Sequence, residues 1–291
     1  MISSLLLIDK PTGPTSHDVV AIVRRGAQEK RVGHAGTLDP LATGLLVVCL
    51  GAATRLSEYL LGEDKTYAAR VRFGQATNTY DADGEVTAAS SQLPERAAVE
   101  AALAPLRGPI QQRPPAFSAI KRGGQRAYTL ARRGEAVELE PRPVTIHALE
   151  LTDWAPPEAS LLVRCTAGTY IRSLAHDLGQ ALGCGAHLTA LRRTAAGHFD
   201  LAAAVSLAQL QADFAAGAWT RHCRPMDEAV PAWPAVRLTA DEAWRVQHGQ
   251  MLRLTAADTE FGRAYNPAGE FFAILRADRA AGIWRPEKVL L

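Results

Sequence analysis

The run Gly33-His-Ala-Gly-Thr-Leu-Asp39-Pro-Leu-Ala-Thr-Gly44, followed at once by Leu45-Leu-Val-Val-Cys-Leu50, constrains this chain more than any other stretch. The apolar run reads as a central strand covered on both faces, since a half-exposed strand would alternate apolar and polar residues. The segment before it is polar and broken by Gly33, Gly36 and Gly44, which makes it a loop. Pro40 pushes Asp39 out of the helical region, so the Asp39 carboxylate leaves a restrained extended or turn backbone. An Asp-Pro pair alone is most often an ordinary turn. A polar loop that delivers a restrained carboxylate to a buried strand is a common setting for chemistry.

The rest of the chain can bury a core around that strand. Its 291 residues suggest two domains at roughly 150 residues each. Apolar residues at 47% and charged residues at 21% argue against disorder and fibrous repeats. A formal charge of +2 is too near neutral to identify a partner, so the distribution of charge has to carry that argument. Cys49, Cys165, Cys184 and Cys223 form no C-x-x-C pair and no zinc-ligand spacing, and are read as free thiols in a reducing compartment. The opening apolar run spans only Leu5 to Ile8, and no stretch approaches the ~20 residues of a membrane span; a cytoplasmic protein is expected.

Leu5 to Ile8 reads as a strand stopped by Asp9-Lys-Pro-Thr-Gly-Pro14, after which Ser16 is placed to cap a helix with Val19, Val20 and Val23 inward. Tyr67, Ala69, Val71 and Phe73 alternate with Ala68, Arg70 and Arg72, the period of a half-buried strand with Tyr67 on its apolar face, closed by a turn at Asp81-Ala-Asp-Gly84. Pro94 is expected to begin a helix carrying Ala98, Val99, Ala102, Leu103 and Leu106. Residues 113 to 143 hold Arg113, Lys121, Arg122, Arg126, Arg132, Arg133 and Arg142 with Phe117 and Tyr128 among them, a locally basic segment despite Glu135, Glu138 and Glu140. Leu161 to Thr166 is a strand candidate, and the next helix places Ile171, Leu174, Ala175 and Leu178 inward before Gly183 and Gly185. Near residue 230, Pro225, Pro231 and Pro234 mark a junction. The short apolar segments Met251 to Leu254, Phe271 to Leu275 and Val289 to Leu291 then suggest a small β-rich domain.

The block Gly33 to Gly44, continuing through Leu46 to Gly51 and Thr54, resembles the signature of the TruB family of tRNA pseudouridine synthases. Further blocks match in order: Leu7-Ile-Asp-Lys-Pro11, Lys65-Thr-Tyr67, Gly74-Gln75, Asp81-Ala-Asp-Gly84, Pro115 to Lys121, Gly168-Thr-Tyr-Ile-Arg172 with Asp177-Leu-Gly179, and Gly183 to Leu188 with Arg193. The resemblance covers residues from about 5 to 230, and is diffuse beyond that. It implies an α+β fold: a mixed, mainly antiparallel sheet in a catalytic domain over residues 1–230 with an inserted RNA clamp at about 109–150, and a small β-rich PUA-like RNA-binding domain over 231–291.

It also implies the reaction. Such enzymes convert a uridine in tRNA to its C-glycosidic isomer, at conventional position 55 of the T-loop, and the substrate expected here is the tRNA T-arm stem-loop, bound by a monomer. The reaction has no net redox change, so no cofactor and no metal are expected. Asp39 matches the catalytic aspartate, Arg172 the arginine that pairs with it, and Tyr67 the tyrosine that stacks on the target uracil. Tyr170 and Leu191 match pocket-lining positions, and His34 the residue that fills the stack vacated by the flipped base. Lys10 and Lys121, with Arg24 and Arg25, are expected to contact RNA. Asn78 departs from the aspartate frequent in relatives, putting one local hydrogen bond in question. From the residues alone, core packing is the more usual reading of Tyr67, and it accounts for Tyr170 and Leu191 as well. A non-catalytic RNA-binding or tRNA-folding protein on the same fold is the alternative, and a hydrolase with two carboxylates would need a second acid motif beside Asp39, which the sequence does not offer.

Overall fold

The structure is a computed structural model describing all residues except 1, 119, 123–124, 132, 134, 136–138, 254–258 and 291, with the side chains of 121, 122, 126 and 131 also outside the description. The elements run β1 (Ser4–Lys10), α1 (Ser16–Gly26), β2 (Val32–His34), β3 (Thr43–Leu50), α2 (Ser57–Leu61), β4 (Lys65–Phe73), β5 (Gln75–Thr77), β6 (Val86–Ala89), α3 (Arg96–Leu103) and β7 (Gly108–Gln112). There follow β8 (Lys121–Arg122), β9 (Gln125–Arg126), α4 (Ala127–Ala131), β10 (Arg142–Ala155), β11 (Glu158–Cys165), α5 (Ile171–Ala181), β12 (Ala186–Ala196), β13 (Phe199–Asp200), β14 (Val205–Ser206) and α6 (Leu207–Ala215). Last come β15 (Ala235–Arg237), α7 (Ala240–Gln247), β16 (Phe261–Tyr265), β17 (Phe271–Asp278) and β18 (Ile283–Val289).

One mixed sheet, in the order β14-β1-β3-β12-β4-β11-β10-β7, dominates the molecule. Only the β1–β14 and β3–β12 pairings in it are parallel. Both faces of β1 and β3 are covered, which is why their sequences are apolar without alternation. Leu6, Ile8, Leu46, Val48 and Leu50 pack with Val19, Val20 and Val23 of α1 on one face. Leu5, Leu7, Leu45, Val47 and Cys49 face the other way, onto Leu56, Phe271, Ile274 and Leu290. Strand β4 alternates as its sequence requires, with Lys65, Tyr67, Ala69, Val71 and Phe73 buried.

Several local expectations change. Thr15 caps α1, in a reciprocal capping box with Asp18, and Ser16 is the first helical residue, its buried hydroxyl used elsewhere. The 81–84 turn does not end β4. It lies in the connection between β5 and β6, which pair antiparallel beyond Phe73. Helix α3 starts at Arg96 rather than Pro94 and buries only Val99 and Leu103, with Ala98 exposed. Strands β7 and β10 pair from Gln112–Arg142 to Gly108–Ile146 and belong to the main sheet, so the segment lying outside that sheet is 113–141, narrower than 109–150.

The C-terminal residues form a four-stranded sheet, β15-β16-β17-β18, plus α7, a helix missed in the sequence although Thr239 and Glu242 form its capping box. Met251 is exposed and Leu252 makes only an isolated bridge to Trp284; Leu254 lies outside the described residues. This unit is fastened to the rest. Tyr265 Oη donates to Asp227 at 2.6 Å, and Tyr59 meets the rings of Trp233 and Phe261 edge-on at 4.9 and 6.1 Å. Lys288 bonds Glu58, and Arg55 donates to Val289 O.

Candidate active site

Asp39 sits at the turn of a loop pinned from behind. Ser16 Oγ accepts from Leu38 N at 2.8 Å and donates to Leu38 O at 3.0 Å. Lys10 is fully buried, not a surface RNA contact as expected: its ammonium donates to Pro11 O at 2.8 Å and Ala42 O at 2.7 Å, and reaches Pro40 O at 3.5 Å. The bond to Ala42 O is buried, and the ammonium satisfies a carbonyl that the fold would otherwise leave unpaired. Burial pulls the Lys10 ammonium down to about 8, against the opposing pull of Asp39. The Asp39 side chain remains 42% exposed, so the loop presents it rather than hiding it.

Arg172 meets it from α5. Its helix has an apolar stripe, and burial extends to Arg172 and Ser173 beside Ile171, Leu174 and Ala175. The guanidinium is therefore not a solvated surface group. Nε lies 3.0 Å from Asp39 Oδ2, Nη1 lies 3.4 Å from Asp81 Oδ2 and donates to Thr79 O at 3.1 Å, and Nη2 donates to Phe117 O at 3.0 Å. Asp81, read in the sequence only as part of a turn, is as buried as Arg172 and also accepts from Thr79 Oγ1 and Asp83 N. It holds the arginine at one end while the other end faces the more exposed Asp39, a charge-assisted chain that fixes direction as well as charge. Asn78 keeps its local bond, with Oδ1 accepting from Glu85 N at 3.0 Å.

The first turn of α5 is also tied to the edge of the sheet. Gln112 of β7 donates to Tyr170 O at 3.0 Å and accepts from Tyr170 N at 2.7 Å, while Ser173 Oγ donates to Arg113 O at 2.8 Å. The basic segment beginning at Arg113 thus starts beside the site. Lys121 lies in β8, its side chain outside the described residues; Arg132 lies outside them altogether.

Tyr67 and Leu191 face the core, each 9% exposed, on the adjacent strands β4 and β12. Burial pushes the Tyr67 phenol above its ordinary range, and the charge of Arg193 opposes that shift. Tyr170 is half-buried at the N-cap of α5, its phenol raised by burial. His34 ends β2, edge-on to His17 at 5.4 Å, with Nδ1 buried and unpartnered among the described residues. Burial holds it neutral, its imidazolium pKa pulled down to about 4. A flat, uncharged imidazole beside the loop suits stacking better than phosphate binding. Arg24 and Arg25 lie on the outer end of α1, exposed.

The arrangement thus offers a cation-paired, accessible carboxylate whose charge reaches the buried Tyr67 and the half-buried Tyr170, with a neutral imidazole at the start of the same loop. Among the described residues, no three His, Cys, Asp or Glu side chains converge as metal ligands would, and no helix is long and apolar enough to cross a membrane.

Comparison with known proteins agrees with that chemistry. Residues 24–171 match the TruB family pseudouridylate synthase N-terminal domain, 172–231 the tRNA pseudouridylate synthase B C-terminal domain, and 233–291 the tRNA pseudouridine synthase II C-terminal region. The tRNA pseudouridine synthase B of Pseudomonas putida is 47% identical over 90% of this chain and 86% of its own length. That of Burkholderia mallei is 44% identical over 100% of this chain and 97% of its own. Among solved structures, an H/ACA RNP bound to a substrate RNA containing 2′-deoxyuridine superposes with a TM-score of 0.75 at 25% identity, over 99% of this chain and 85% of that one. A Cbf5-Nop10-Gar1 complex gives 0.74 at 27%, with the same coverage. No match favours a non-catalytic binder, and the chain belongs to the TruB family of pseudouridine synthases, isomerases that convert uridine to pseudouridine in tRNA.

Proposed function

We propose that the uridine isomerised is the one at conventional position 55, taken from the T-arm stem-loop by a monomer working in the cytoplasm without metal or organic cofactor. The observation that carries this reading is the Arg172–Asp39 contact at 3.0 Å, one partner buried and the other exposed. The buried cation orients an accessible carboxylate, as a nucleophile at C1′ or as the group that removes a ribose proton and steadies the charge on C1′. A uracil inside a folded loop has to leave the stack to reach it. His34, neutral and flat, takes the vacated place; Tyr67, Tyr170 and Leu191 enclose the base, and the Tyr67 oxygen removes the C5 proton after the ring has turned.

Affinity comes from elsewhere. The 113–141 segment, including Lys121 and Arg133, closes on the phosphates of the arm, and residues 231–291 form an RNA-binding domain that adds backbone contacts. The test is to incubate the protein with an unmodified tRNA transcript and with its isolated T-arm stem-loop, then map pseudouridine. Product at position 55 in both, insensitive to chelation once RNA folding is controlled, is the expected result. Product only at another position, or none from the stem-loop, overturns the substrate assignment.

A further inference from the structure

Arg193 is 1% exposed, and its guanidinium spends its bonds on backbone carbonyls: Nε to Leu45 O at 2.7 Å, Nη2 to Gly36 O at 3.0 Å and Nη1 to Thr37 O at 3.4 Å. No carboxylate among the described residues pairs with it. A buried charge without a counter-ion is costly, and an apolar residue of similar length would fill the space more cheaply. The cation therefore has a use beyond filling.

Its neighbours indicate which. Both ends of the loop carrying Asp39 meet this residue. At Gly44, φ +96°, an added Cβ would lie 2.3 Å from Arg193 O, so nothing larger fits there, and Gly36, at φ +110°, lies in van der Waals range of the guanidinium that bonds its carbonyl. Arg193 is the strand partner of Gly44 on one side and of Tyr67 on the other. Its positive charge acts on the phenol of Tyr67 against the effect of burial. One residue thus sets the position of the Asp39 loop relative to the tyrosine.

We propose that Arg193 is a positioning residue for the isomerisation, fixing the Tyr67 oxygen in the same frame as Asp39 and stabilising negative charge on it. This rests on the reading of Tyr67 given above. In its ionised form the Tyr67 oxygen accepts the C5 proton. The C5–H pair becomes the C5=C6 bond, and the pair displaced from N1=C6 takes a proton from water at N1. A cation at the partner position of the neighbouring strand, held by three carbonyls that cannot neutralise it, offsets the penalty that burial places on that phenolate.

The experiment compares Arg193→Lys and Arg193→Met, alone and combined with Tyr67→Phe, in single-turnover isomerisation at saturating tRNA transcript. Alone, Arg193→Lys is expected to lower the rate about 100-fold with the RNA Kd changed less than about threefold, since a point charge cannot serve the carbonyls and the phenol together. On the Tyr67→Phe background the same change should cost less than about threefold, because the group it acts through is gone. A titration by fluorine NMR of full-length protein carrying 3-fluorotyrosine at position 67 should show the phenol pKa rising by about one unit or more in Arg193→Met. If Arg193→Met does not fold, a smaller rise in Arg193→Lys is the expected result. Wild-type rates in the Arg193 variants, costs that multiply undiminished with Tyr67→Phe, or an unmoved phenol pKa would each overturn the inference. Where Tyr67→Phe leaves too little product to compare, the fluorine titration decides alone. A fully active Tyr67→Phe instead removes the reading of Tyr67 itself, a different failure from an impaired Tyr67→Phe whose cost Arg193 merely multiplies.

Discussion

Asp39 owes its place to two local facts, the proline after it and the arginine across from it, and only the first is written beside it in the chain. Asp39→Asn preserves shape while removing charge and nucleophilicity. It is expected to cut single-turnover isomerisation by about 10⁴-fold or more with tRNA binding retained, as measured by product mapping and filter binding. Arg172→Lys should also be poor. The lysine cannot span Asp39, Asp81 and the carbonyls of Thr79 and Phe117 that the guanidinium engages together. His34 yields a prediction on pH. Its ordinary value is 6.5 and burial lowers it to about 4 in the fold, so between those values the unfolded chain binds the extra proton. The stability that neutral His34 confers is complete above pH 6.5 and is lost as pH falls toward 4. Urea midpoints measured from pH 7 to 4 should fall less steeply in His34→Gln than in wild type. The burial of Arg172 was not legible in the sequence, because helical periodicity places an arginine next to Ile171 as readily in solvent as in a cleft. The ion pairs of Asp81 and the strand partners of Arg193 were likewise hidden, since a pairing across a sheet leaves no mark at short sequence separation.

At the scale of elements, the loop before β3 behaves as a part of α1 and β1 as much as of its own sequence. Ser16→Ala should leave α1 intact, because Thr15 and not Ser16 supplies the cap. It does, however, orphan the amide and carbonyl of Leu38, at a cost of about 2 kcal/mol. We expect a lower urea midpoint together with a roughly tenfold slower single-turnover rate, since Leu38 is the neighbour of Asp39 and a loosened approach geometry is paid in rate. A lower midpoint with an unchanged rate would mean that the loop is positioned without Ser16. Strands and helices with strong periodicity, such as β4 and α5, were legible because their own side chains decide which face is inward. The boundary of the 113–141 segment was not, because β7 is the edge strand and joins the main sheet only by pairing with β10, which is held in turn by β11.

At the scale of the molecule, the junction near residue 230 separates two sheets that share a core. Phe271, Ile274 and Leu290 pack on Leu5, Leu7, Leu45 and Val47, the back of the strands that carry the Asp39 loop. Removing residues 231–291 should therefore destabilise what remains. Losing burial at about 1.5–3 kcal/mol per large apolar side chain takes a large share of a typical domain's stability. The truncated chain is expected to aggregate or melt well below the intact protein by circular dichroism; an undiminished Tm would show that the shared core is dispensable. The RNA contacts of this region are better probed by Arg279→Gln with Arg285→Gln on the exposed β17–β18 hairpin, expected to weaken tRNA binding and reduce its salt slope by about 2 without lowering the saturating rate. The sequence by itself determined the α+β class, the strands and helices of strong period, the restrained Asp39 and the family, because these depend on neighbours in the chain and on motifs read in order. Only the tertiary structure decided that Lys10 is a buried brace, that Asp81 and Arg193 belong to the site and that the C-terminal sheet closes the core, because burial and ion pairing are set by residues far apart in the chain that meet only when the sheet has formed.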